Sequence, residues 1–368
     1  MDDFDRNVWC ILGLPFDAVT IEDAVVRVRR SARNHHPCFI STPNVNFLIA
    51  SQSEYDFRYS VINSDLVLAD GMPIVWIAKL LRLPVTQRVP GSGLIERLWS
   101  ETASKYDPIK VFFFGGEKGV AETACEIMGK EKRGLECAGH YYPGFGSVED
   151  MSSDSVIDAI NKADPDFTIV SLGARKGQAW IQLNKDKLHS PVISHLGAVV
   201  NFVAGTVKRA PVLVQKFGLE WLWRIKEEPA LWRRYLFDGL LLAKLIITKV
   251  LPYSVLAWRW KRGICNSEPA VTELTESRES ITIFLNGALL SSTLGPLRSC
   301  FRDSVSSQKD VILDFSRVNY IDSAAIGLLY MLKKNLMINE KEMIIRSVSK
   351  RVSTILSFNC ASHLLTDD

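Results

Sequence analysis

Short apolar runs alternate with longer amphipathic stretches between residue 11 and about residue 212. Five of these runs predict buried strands, at residues 38–41, 61–69, 111–114, 167–172 and 192–196. Several are followed by glycine or polar residues and then by a helical periodicity, which indicates βαβ units. We therefore predict an α/β fold with a doubly wound, Rossmann-like parallel sheet. Ligands of such sheets bind outside the carboxyl ends of the strands, so the residues at the strand exits are the first candidates for function.

Residues 213–262 are rich in tryptophan and arginine, and their pattern is typical of a helix with a broad apolar face. Three charged residues interrupt that face, and Pro252 is expected to end or kink the helix. No run in the chain reaches about 18 uninterrupted apolar residues, so no membrane span is obvious. We predict a helical C-terminal appendage that is basic and amphipathic and associates with a membrane surface.

An acidic, polar stretch at 263–279 follows and is expected to be a flexible linker. After it, apolar runs at 281–289, 311–322 and 343–349 predict strands with helical segments between them. The expected division is therefore a catalytic domain at 1–212, the appendage at 213–262, the linker at 263–279 and a second small α/β domain at 280–368.

Charge and cysteine usage narrow the class of protein. The net charge of the 368-residue chain is only +3, which gives no reason to expect nucleic acid as a partner. The basic charge is concentrated between Arg224 and Arg262, where nine basic and three acidic residues leave a local charge of +6. The seven cysteines are scattered and form no CxxC pair, which argues against a disulfide framework or a zinc site and fits a reducing cytoplasm. The acidic N-terminus lacks the form of a signal peptide.

Polar residues stand at two predicted strand exits. Thr42 and Asn44 flank a proline after the first strand, and their hydroxyl and carboxamide suit a sugar or phosphate, although an ordinary turn has the same composition. Asp65 lies near the entrance of the next predicted strand and Asp70 at its exit, before a glycine. A carboxylate in the place of Asp70 can accept a proton from a hydroxyl nucleophile, but a turn or helix cap explains it about as well.

A glycine pair, Gly115 and Gly116, leads into a predicted helix. Glycines let a backbone approach a ligand closely, and a helix N-terminus attracts phosphate. The pair is not a full GxGxxG fingerprint, which argues against a dinucleotide oxidoreductase. The basic appendage also has two interpretations: it packs on the core with solvated charges, or it meets anionic lipid and brings arginines to a diphosphate.

Taken together, these residues resemble the WecG/TagA/CpsF family of glycosyltransferases. The resemblance runs from about residue 13 to residue 252 and rests on an ordered series of motifs rather than on any single one. The motifs are GLPFD at 13–17, TPN at 42–44, the 65–71 segment, RVPGSGL from Arg88, GGEKGVAE at 115–122, SLGA at 171–174, FVAGTVKRAP at 202–211 and GLEWLWR at 218–224.

The resemblance implies an inverting transferase that needs no metal and no cofactor. It would move a hexose or N-acetylhexosamine from a UDP-sugar to a sugar on polyprenyl diphosphate during assembly of an exopolysaccharide or another bacterial surface glycan. Such an enzyme would be cytoplasmic and peripheral on the inner face of the cell membrane. The roles implied for this chain are catalytic base for Asp70, lining of the pocket for Thr42 and Asn44, and substrate binding for Arg88, Gly115, Gly116, Gly173, Arg209, Arg224 and Arg234.

The chain also departs from the family pattern. It has Arg175, Lys176, Gly177 and Gln178 where the family usually has Pro-x-Gln-Glu, and Asn201 where an aspartate is common. Ala198 replaces a glycine, and Leu231 stands where an arginine is expected. These departures leave the donor sugar open. They also motivate an alternative, in which a degenerate transferase domain binds UDP-sugars and signals through the C-terminal domain.

The C-terminal domain resembles STAS domains in its segment LDFSRVNYIDSAAIGLL at 313–329. In regulatory STAS domains a phosphorylatable hydroxyl follows Asp-Ser, but here that position is Ala324. Ser323 remains, and its simplest expected role is to cap the helix that begins there. We therefore expect docking of a protein partner or self-association through this domain rather than a phosphorylation switch.

Overall fold

The computed structural model describes residues 2–101, 107–207, 210–211, 213–214, 218–262 and 271–365. It divides into two compact units. The sheet unit comprises 19–75 and 87–239, and the C-terminal unit comprises 240–368 together with 76–86 and the residues up to Ala18. These units cut across the division expected in chain order, because the first strands of the chain group with its last domain.

The sheet unit contains six parallel strands. Their order across the sheet is Leu66–Val67, Cys38–Ser41, Val192–His195, Phe167–Ser171, Ile109–Gly115 and Leu135–Tyr141. This arrangement confirms the predicted parallel α/β fold. The strand expected at 61–69 is much shorter, because its first two residues end the helix Tyr55–Ile62. The apolar run at 61–69 is divided between the end of a helix and a strand. A short apolar run does not by itself show whether its residues are helical or extended.

Helices cover both faces of this sheet, because its strands are apolar on both sides. Phe113 belongs to one buried apolar cluster, while its neighbours Phe112 and Phe114 belong to another on the opposite face. The helices of the sheet unit up to residue 203 are Ile21–Asn34, Val45–Ala50, Tyr55–Ile62, Met72–Leu80 (which crosses the unit boundary), Gly91–Ser100, Val120–Glu131, Asp154–Lys162, Ala174–Asn184 and Val199–Val203, with a short 3-10 turn at Asp150–Ser152.

The appendage is helical, as the sequence predicts. Its elements are Glu220–Glu227, the 3-10 turn Pro229–Leu231, Trp232–Leu245, the π-helical stretch Ile246–Val250 and Leu251–Arg262. Pro252 does not end the helix, which continues to Arg262, so the first of the two expected effects, an end or a kink, is excluded. Proline lacks the N–H that donates the backbone hydrogen bond of an α-helix. The π-helical turn just before Pro252 is one way in which a helix accommodates the loss of that hydrogen bond.

The sheet of the C-terminal unit has four strands in the order Met343–Arg346, Asp310–Ile321, Ser280–Leu289 and Val271–Glu276. Only the last of them pairs antiparallel. It lies inside the stretch expected to be a flexible linker, so that expectation is wrong for 271–276, while 263–270 lies outside the described residues. The helices of this sheet's domain are Gly295–Ser306, Ser323–Ile338 and Lys350–Phe358, with a 3-10 turn at Ser362–Leu364.

The N-terminal segment packs on this C-terminal sheet domain. A 3-10 turn, Asp3–Asp5, precedes a hairpin of the strands Val8–Ile11 and Leu14–Asp17. A side chain at Gly327 of the helix Ser323–Ile338 would meet the carbonyl oxygen of Val8 at 2.5 Å, so only glycine permits this approach. Patterning along the chain does not reveal such a contact, because it joins the two ends of the sequence.

Four charged side chains meet where the N-terminal segment contacts the helix Ser323–Ile338. We call them the N-terminal network: Asp3, Arg6, Asp17 and Lys334. The Arg6 side chain has no solvent exposure, and it contacts Asp17 and Asp3 at 2.7 Å each. Lys334 lies 3.0 Å from the second oxygen of Asp3. Two cations thus neutralise two buried carboxylates, which is the condition under which buried charge is tolerated.

One disulfide joins Cys125, on the helix Val120–Glu131, to Cys137, on the adjacent strand Leu135–Tyr141. The two Cα atoms lie 5.1 Å apart. The cysteine spacing argued against a disulfide framework and did not reveal this single bridge. The helix returning over its neighbouring strand places the two side chains together.

Candidate active site

Thr42 and Asn44 lie just beyond the strand Cys38–Ser41, at the carboxyl edge of the sheet. Thr42 is buried. Asn44 caps the helix Val45–Ala50, since its side-chain oxygen accepts the Phe47 N–H at 3.3 Å. The cap fixes the orientation of the carboxamide and employs only its oxygen, so the amide nitrogen remains as a donor.

Asp70 is held between two loops by backbone hydrogen bonds. Its own N–H donates to the Pro43 carbonyl at 3.0 Å, and the Val89 N–H donates to the Ala69 carbonyl at 2.8 Å. The TPN turn, the end of the Asp65–Gly71 segment and the loop carrying Arg88 therefore meet at one place. Asp65, at the other end of that segment, accepts the Phe39 N–H at 2.8 Å and has a structural role.

The electrostatics around Asp70 suit proton transfer near neutral pH. Burial raises the pKa of Asp70 to about 6. Arg88 and Arg224 act against this rise, Glu220 adds to it, and the Gly91 N–H donates a hydrogen bond to the carboxylate. A carboxyl group with a pKa close to the working pH is an effective general base, since it is ionised yet still basic. This side chain is half-buried, so a substrate hydroxyl can reach it.

Arg88 pairs with Glu220 of the appendage helix Glu220–Glu227. Both terminal nitrogens of the guanidinium donate to the two carboxylate oxygens, one of them at 3.0 Å. The arginine expected to bind substrate is thus near enough to Asp70 to influence its pKa, but it already has a carboxylate partner. We call Asp70, Arg88, Glu220 and Arg224 the base cluster.

The two arginines expected to reach a diphosphate differ in their surroundings. Arg224 lies over the Phe202 ring, 5.6 Å from its centroid, and is near enough to Asp70 to influence its pKa. Arg234 lies over Tyr235 of its own helix, at 5.4 Å, and is exposed. Arg209 lies outside the described residues. The structure therefore brings Arg224 to the base cluster and shows Arg234 on the surface of the appendage.

Gly115 and Gly116 end a central strand, with φ angles of +91° and +84°. A side chain on Gly115 would lie 2.9 Å from the Ser171 carbonyl, and that same carbonyl accepts the Gly116 N–H at 2.8 Å. The pair therefore serves close packing between two strand exits, and the Gly116 N–H is already engaged. Gly173 precedes the helix Ala174–Asn184, with open space where its side chain would be.

His195 lies at a strand exit of the sheet and was not singled out from the sequence. It ends the strand Val192–His195, is buried, and its Nε2 lies 2.6 Å from the Leu172 carbonyl. Burial lowers its pKa, so the ring is neutral and Nε2 carries the proton that is donated. A side chain at Gly177 would lie 2.1 Å from this ring, which gives the departure at Gly177 a physical reason. Its place near the end of a predicted apolar strand was the one sequence feature that could have drawn attention to His195.

Two buried polar atoms beside these turns have no hydrogen-bond partner within the described structure. They are the hydroxyl of Ser171 and the side-chain oxygen of Gln178, whose nitrogen donates to Ser41 at 2.9 Å. Buried polar groups are normally satisfied, so such atoms at a strand exit are consistent with a ligand site. Among the described residues, no group of three or more histidine, cysteine, aspartate or glutamate side chains could hold a metal ion.

The N-terminus of the helix Ser323–Ile338 is buried within the C-terminal unit. Asp322 caps this helix by accepting the Ala325 N–H at 2.9 Å, so the expectation that Ser323 caps it is wrong. Ser323 is 2% exposed, and its hydroxyl lies 3.4 Å from the Asn359 side-chain oxygen. Tyr253 of the appendage is buried in the same unit and is close enough to interact with Ser323.

One helix in the described part of the chain, Pro229–Trp260, is long and apolar enough to cross a membrane by length and composition. The sequence argument passed over it because charged residues interrupt the apolar run. Its exposed large apolar side chains are Trp232, Leu236, Phe237, Leu240, Ile247, Leu251, Val255 and Trp258. The helix thus offers water a large apolar surface, which is the usual mark of a binding or membrane face.

Residues 9–254 match the glycosyl transferase WecG/TagA/CpsF family, and residues 272–360 match the STAS domain. A protein of Bacillus spizizenii, named N-acetylglucosaminyldiphosphoundecaprenol N-acetyl-beta-D-mannosaminyltransferase, is 31% identical over 196 residues, which cover 53% of this chain and 73% of that protein. A Staphylococcus aureus protein of the same name is 26% identical over 216 residues, covering 58% of this chain and 82% of its own length.

Among solved structures, the unphosphorylated anti-sigma factor antagonist SpoIIAA is 21% identical, with a TM-score of 0.24, and covers 26% of this chain and 86% of its own. The family match spans about two thirds of the chain and includes the TPN turn, Asp70, Arg88 and most of the appendage. This chain is therefore a glycosyltransferase that belongs to the WecG/TagA/CpsF family and carries a C-terminal STAS domain.

Proposed function

We propose that this chain transfers a hexose or N-acetylhexosamine from a UDP-sugar to a sugar carried on polyprenyl diphosphate. The acceptor class follows the names of the relatives, which act on a diphosphoundecaprenol-linked sugar. The observation that carries the proposal is Asp70, a half-buried carboxylate with a pKa of about 6, beside the TPN turn and two arginines. The product would enter assembly of an exopolysaccharide or another surface glycan.

In the proposed step, an acceptor hydroxyl oxygen attacks the anomeric carbon of the donor sugar. The bond from that carbon to the UDP oxygen breaks, and the hydroxyl proton passes to Asp70. A single displacement of this kind inverts the anomeric configuration. Thr42 and the Asn44 amide would orient the sugar next to Asp70, since both lie on the loop that is hydrogen-bonded to it.

The departing UDP carries growing negative charge on its diphosphate. Guanidinium groups can stabilise such charge in a site shielded from water, and Arg88 and Arg224 lie beside Asp70. We propose that they do so without a divalent cation. An assay with and without EDTA tests this point: equal rates are expected, and a loss of activity that Mg²⁺ or Mn²⁺ restores would contradict it.

The membrane is the proposed place of action, on its inner, cytoplasmic face. The exposed apolar side chains of Pro229–Trp260 and the basic residues around them would bind an anionic lipid surface peripherally. Flotation with phosphatidylglycerol vesicles should recover the protein. A variant with Phe237→Ser and Leu240→Ser should float poorly while keeping its unfolding temperature, and equal flotation of both proteins would rule out this surface as the anchor.

The transfer itself is tested with a panel of UDP-hexoses and UDP-N-acetylhexosamines, and a short-chain prenyl-diphosphate sugar as acceptor. Transfer from one donor, absent in Asp70→Asn, would establish both the reaction and the donor. The alternative function, a UDP-sugar-binding regulator that signals through its STAS domain, is favoured by the altered turn in which His195 fills the space beside Gly177. UDP-sugar binding without turnover across the panel would support that alternative.

A further inference from the structure

Glu220 brings a second carboxylate to the base cluster from a distant part of the chain. It lies 132 residues from Arg88 and begins the appendage helix Glu220–Glu227. The pairing is bidentate, and bidentate arginine–carboxylate pairs fix the plane and position of the guanidinium. The arginine side chain is mostly buried and the glutamate about one third exposed, so the pair is only partly screened by water.

This pairing has a consequence for the base. An arginine beside an unshared aspartate would engage that carboxylate with its own fork, occupy its lone pairs and weaken it as a proton acceptor. Here the fork of Arg88 is taken by Glu220, so Arg88 leaves the lone pairs of Asp70 that do not accept the Gly91 N–H to a substrate hydroxyl. The charged groups acting on Asp70 are Arg88, Glu220 and Arg224, and a neutral donor, the Gly91 N–H, completes its surroundings.

We propose that Glu220 is a positioning residue of the transfer reaction, which holds Arg88 beside Asp70 without letting Arg88 neutralise it. This inference rests on the proposed function, because it assigns Asp70 as the base. It also gives the appendage a part in the active site besides lipid contact, since the base cluster is complete only when the helix Glu220–Glu227 is in place.

The test compares the pH dependence of kcat/KM for the full-length protein and its Glu220→Gln variant on anionic vesicles. Glutamine keeps the shape of the side chain and one acceptor oxygen but removes the charge. Arg88 then acts on Asp70 uncompensated, so the acidic limb should move down by about one pH unit and the plateau should fall several-fold. Glu220→Asp keeps the charge and should retain an acidic limb near that of the wild type.

The matched control is Glu227→Gln, which removes an exposed carboxylate from the same helix and should leave the acidic limb in place. The unfolding temperature of each variant is compared with that of the wild type, to check that the variant is folded. If Glu220 only fastens the appendage, Glu220→Gln will lose activity with an unmoved acidic limb, and the proposal is overturned. An unchanged profile overturns it as well. An inactive wild type across the donor panel would instead overturn the proposed transfer reaction.

Discussion

The N-terminal network and the base cluster contain the same kinds of charges in different settings. Each has two carboxylates and two cations. In the N-terminal network the charges form close pairs, and although burial opposes it, Lys334 and Arg6 lower the pKa of Asp3. In the base cluster the fork of Arg88 is paired with Glu220, and burial raises the pKa of Asp70 to about 6. The first set pairs its charges closely, whereas the second contains a carboxylate whose raised pKa suits the proposed role of base.

The comparison of the two clusters shows how a structural charge can be distinguished from a candidate catalytic one. A buried ion whose partners are all close contributes by being satisfied, and breaking it leaves an uncompensated charge. A carboxylate whose nearest cation is engaged elsewhere gains little stability, and its perturbed pKa makes it a candidate for chemistry. The following predictions test this distinction, from the largest expected effect to the smallest.

Asp70→Asn should reduce kcat by about 10³-fold, because general base catalysis contributes about 10²–10⁴-fold. Although the variant loses activity, its free energy of unfolding should rise at neutral and alkaline pH. The pKa of Asp70 is higher in the folded protein than unfolded, so its ionisation costs stability as the pH rises from about 4 to about 6. The variant should therefore match the wild type at pH 4 and be about 1 kcal/mol more stable at pH 8, after allowance for partial exposure.

Urea unfolding at the two pH values measures this difference, and single-turnover assays measure the rate. A variant that is inactive and equally destabilised at both pH values would place Asp70 with the structural charges instead.

Arg6→Met should destabilise the protein by about 3–5 kcal/mol, since it leaves Asp17 buried without its cation. Urea unfolding monitored by circular dichroism gives this value. The double variant Arg6→Met with Asp17→Leu should recover much of the loss, because an apolar pair can replace a buried ion pair. No recovery would mean that Arg6 acts mainly through Asp3 or through its packing.

The same network predicts acid sensitivity. The pKa of Asp3 is below its ordinary value in the folded protein, so its contribution is present above about pH 4 and is lost as the pH falls through the lowered pKa. The difference in free energy of unfolding between the wild type and Asp3→Asn should be constant from pH 5 to 8 and shrink below pH 4.

Arg224→Ala should lower kcat by about 10²-fold, in the range measured when one donor that stabilises developing charge is removed. Arg234→Ala is the matched control, as an exposed arginine in the same appendage, and should have a smaller effect. Both rates are measured on vesicles of equal composition, so that lipid binding is saturated. Equal losses would contradict the special place of Arg224 beside Asp70.

Gly177→Ala should destabilise the protein by about 2 kcal/mol, because its methyl group would overlap the His195 ring. His195→Ala removes that ring, so the double variant should be less destabilised than the sum of the two single changes. A double-mutant cycle in urea measures this coupling. Strict additivity would show that the glycine is needed for another reason.

Much of the candidate site could be proposed from the sequence, because its residues lie at strand exits. The apolar runs at Cys38–Ser41 and Ile109–Gly115 located the sheet edge. Thr42 and Asn44 lie just beyond the first run, and Gly115 and Gly116 lie at the end of the second. His195 was missed because it closes an apolar strand and carries no motif of its own. Its importance comes from a contact with Gly177, and such contacts between separate loops are not periodic in sequence.

The sequence by itself determined the parallel α/β fold, the family, the STAS domain and the residues around Asp70. The fold follows from local patterns, because side chains repeat every two residues in a strand and every 3.6 in a helix. The family, the STAS domain and the candidate residues around Asp70 follow from the resemblance of ordered motifs. Only the tertiary structure decided that the N-terminal hairpin belongs with the STAS domain and that Glu220 takes the fork of Arg88. Those facts depend on which distant segments meet, and charge pairing across 132 residues leaves no periodic trace in the chain.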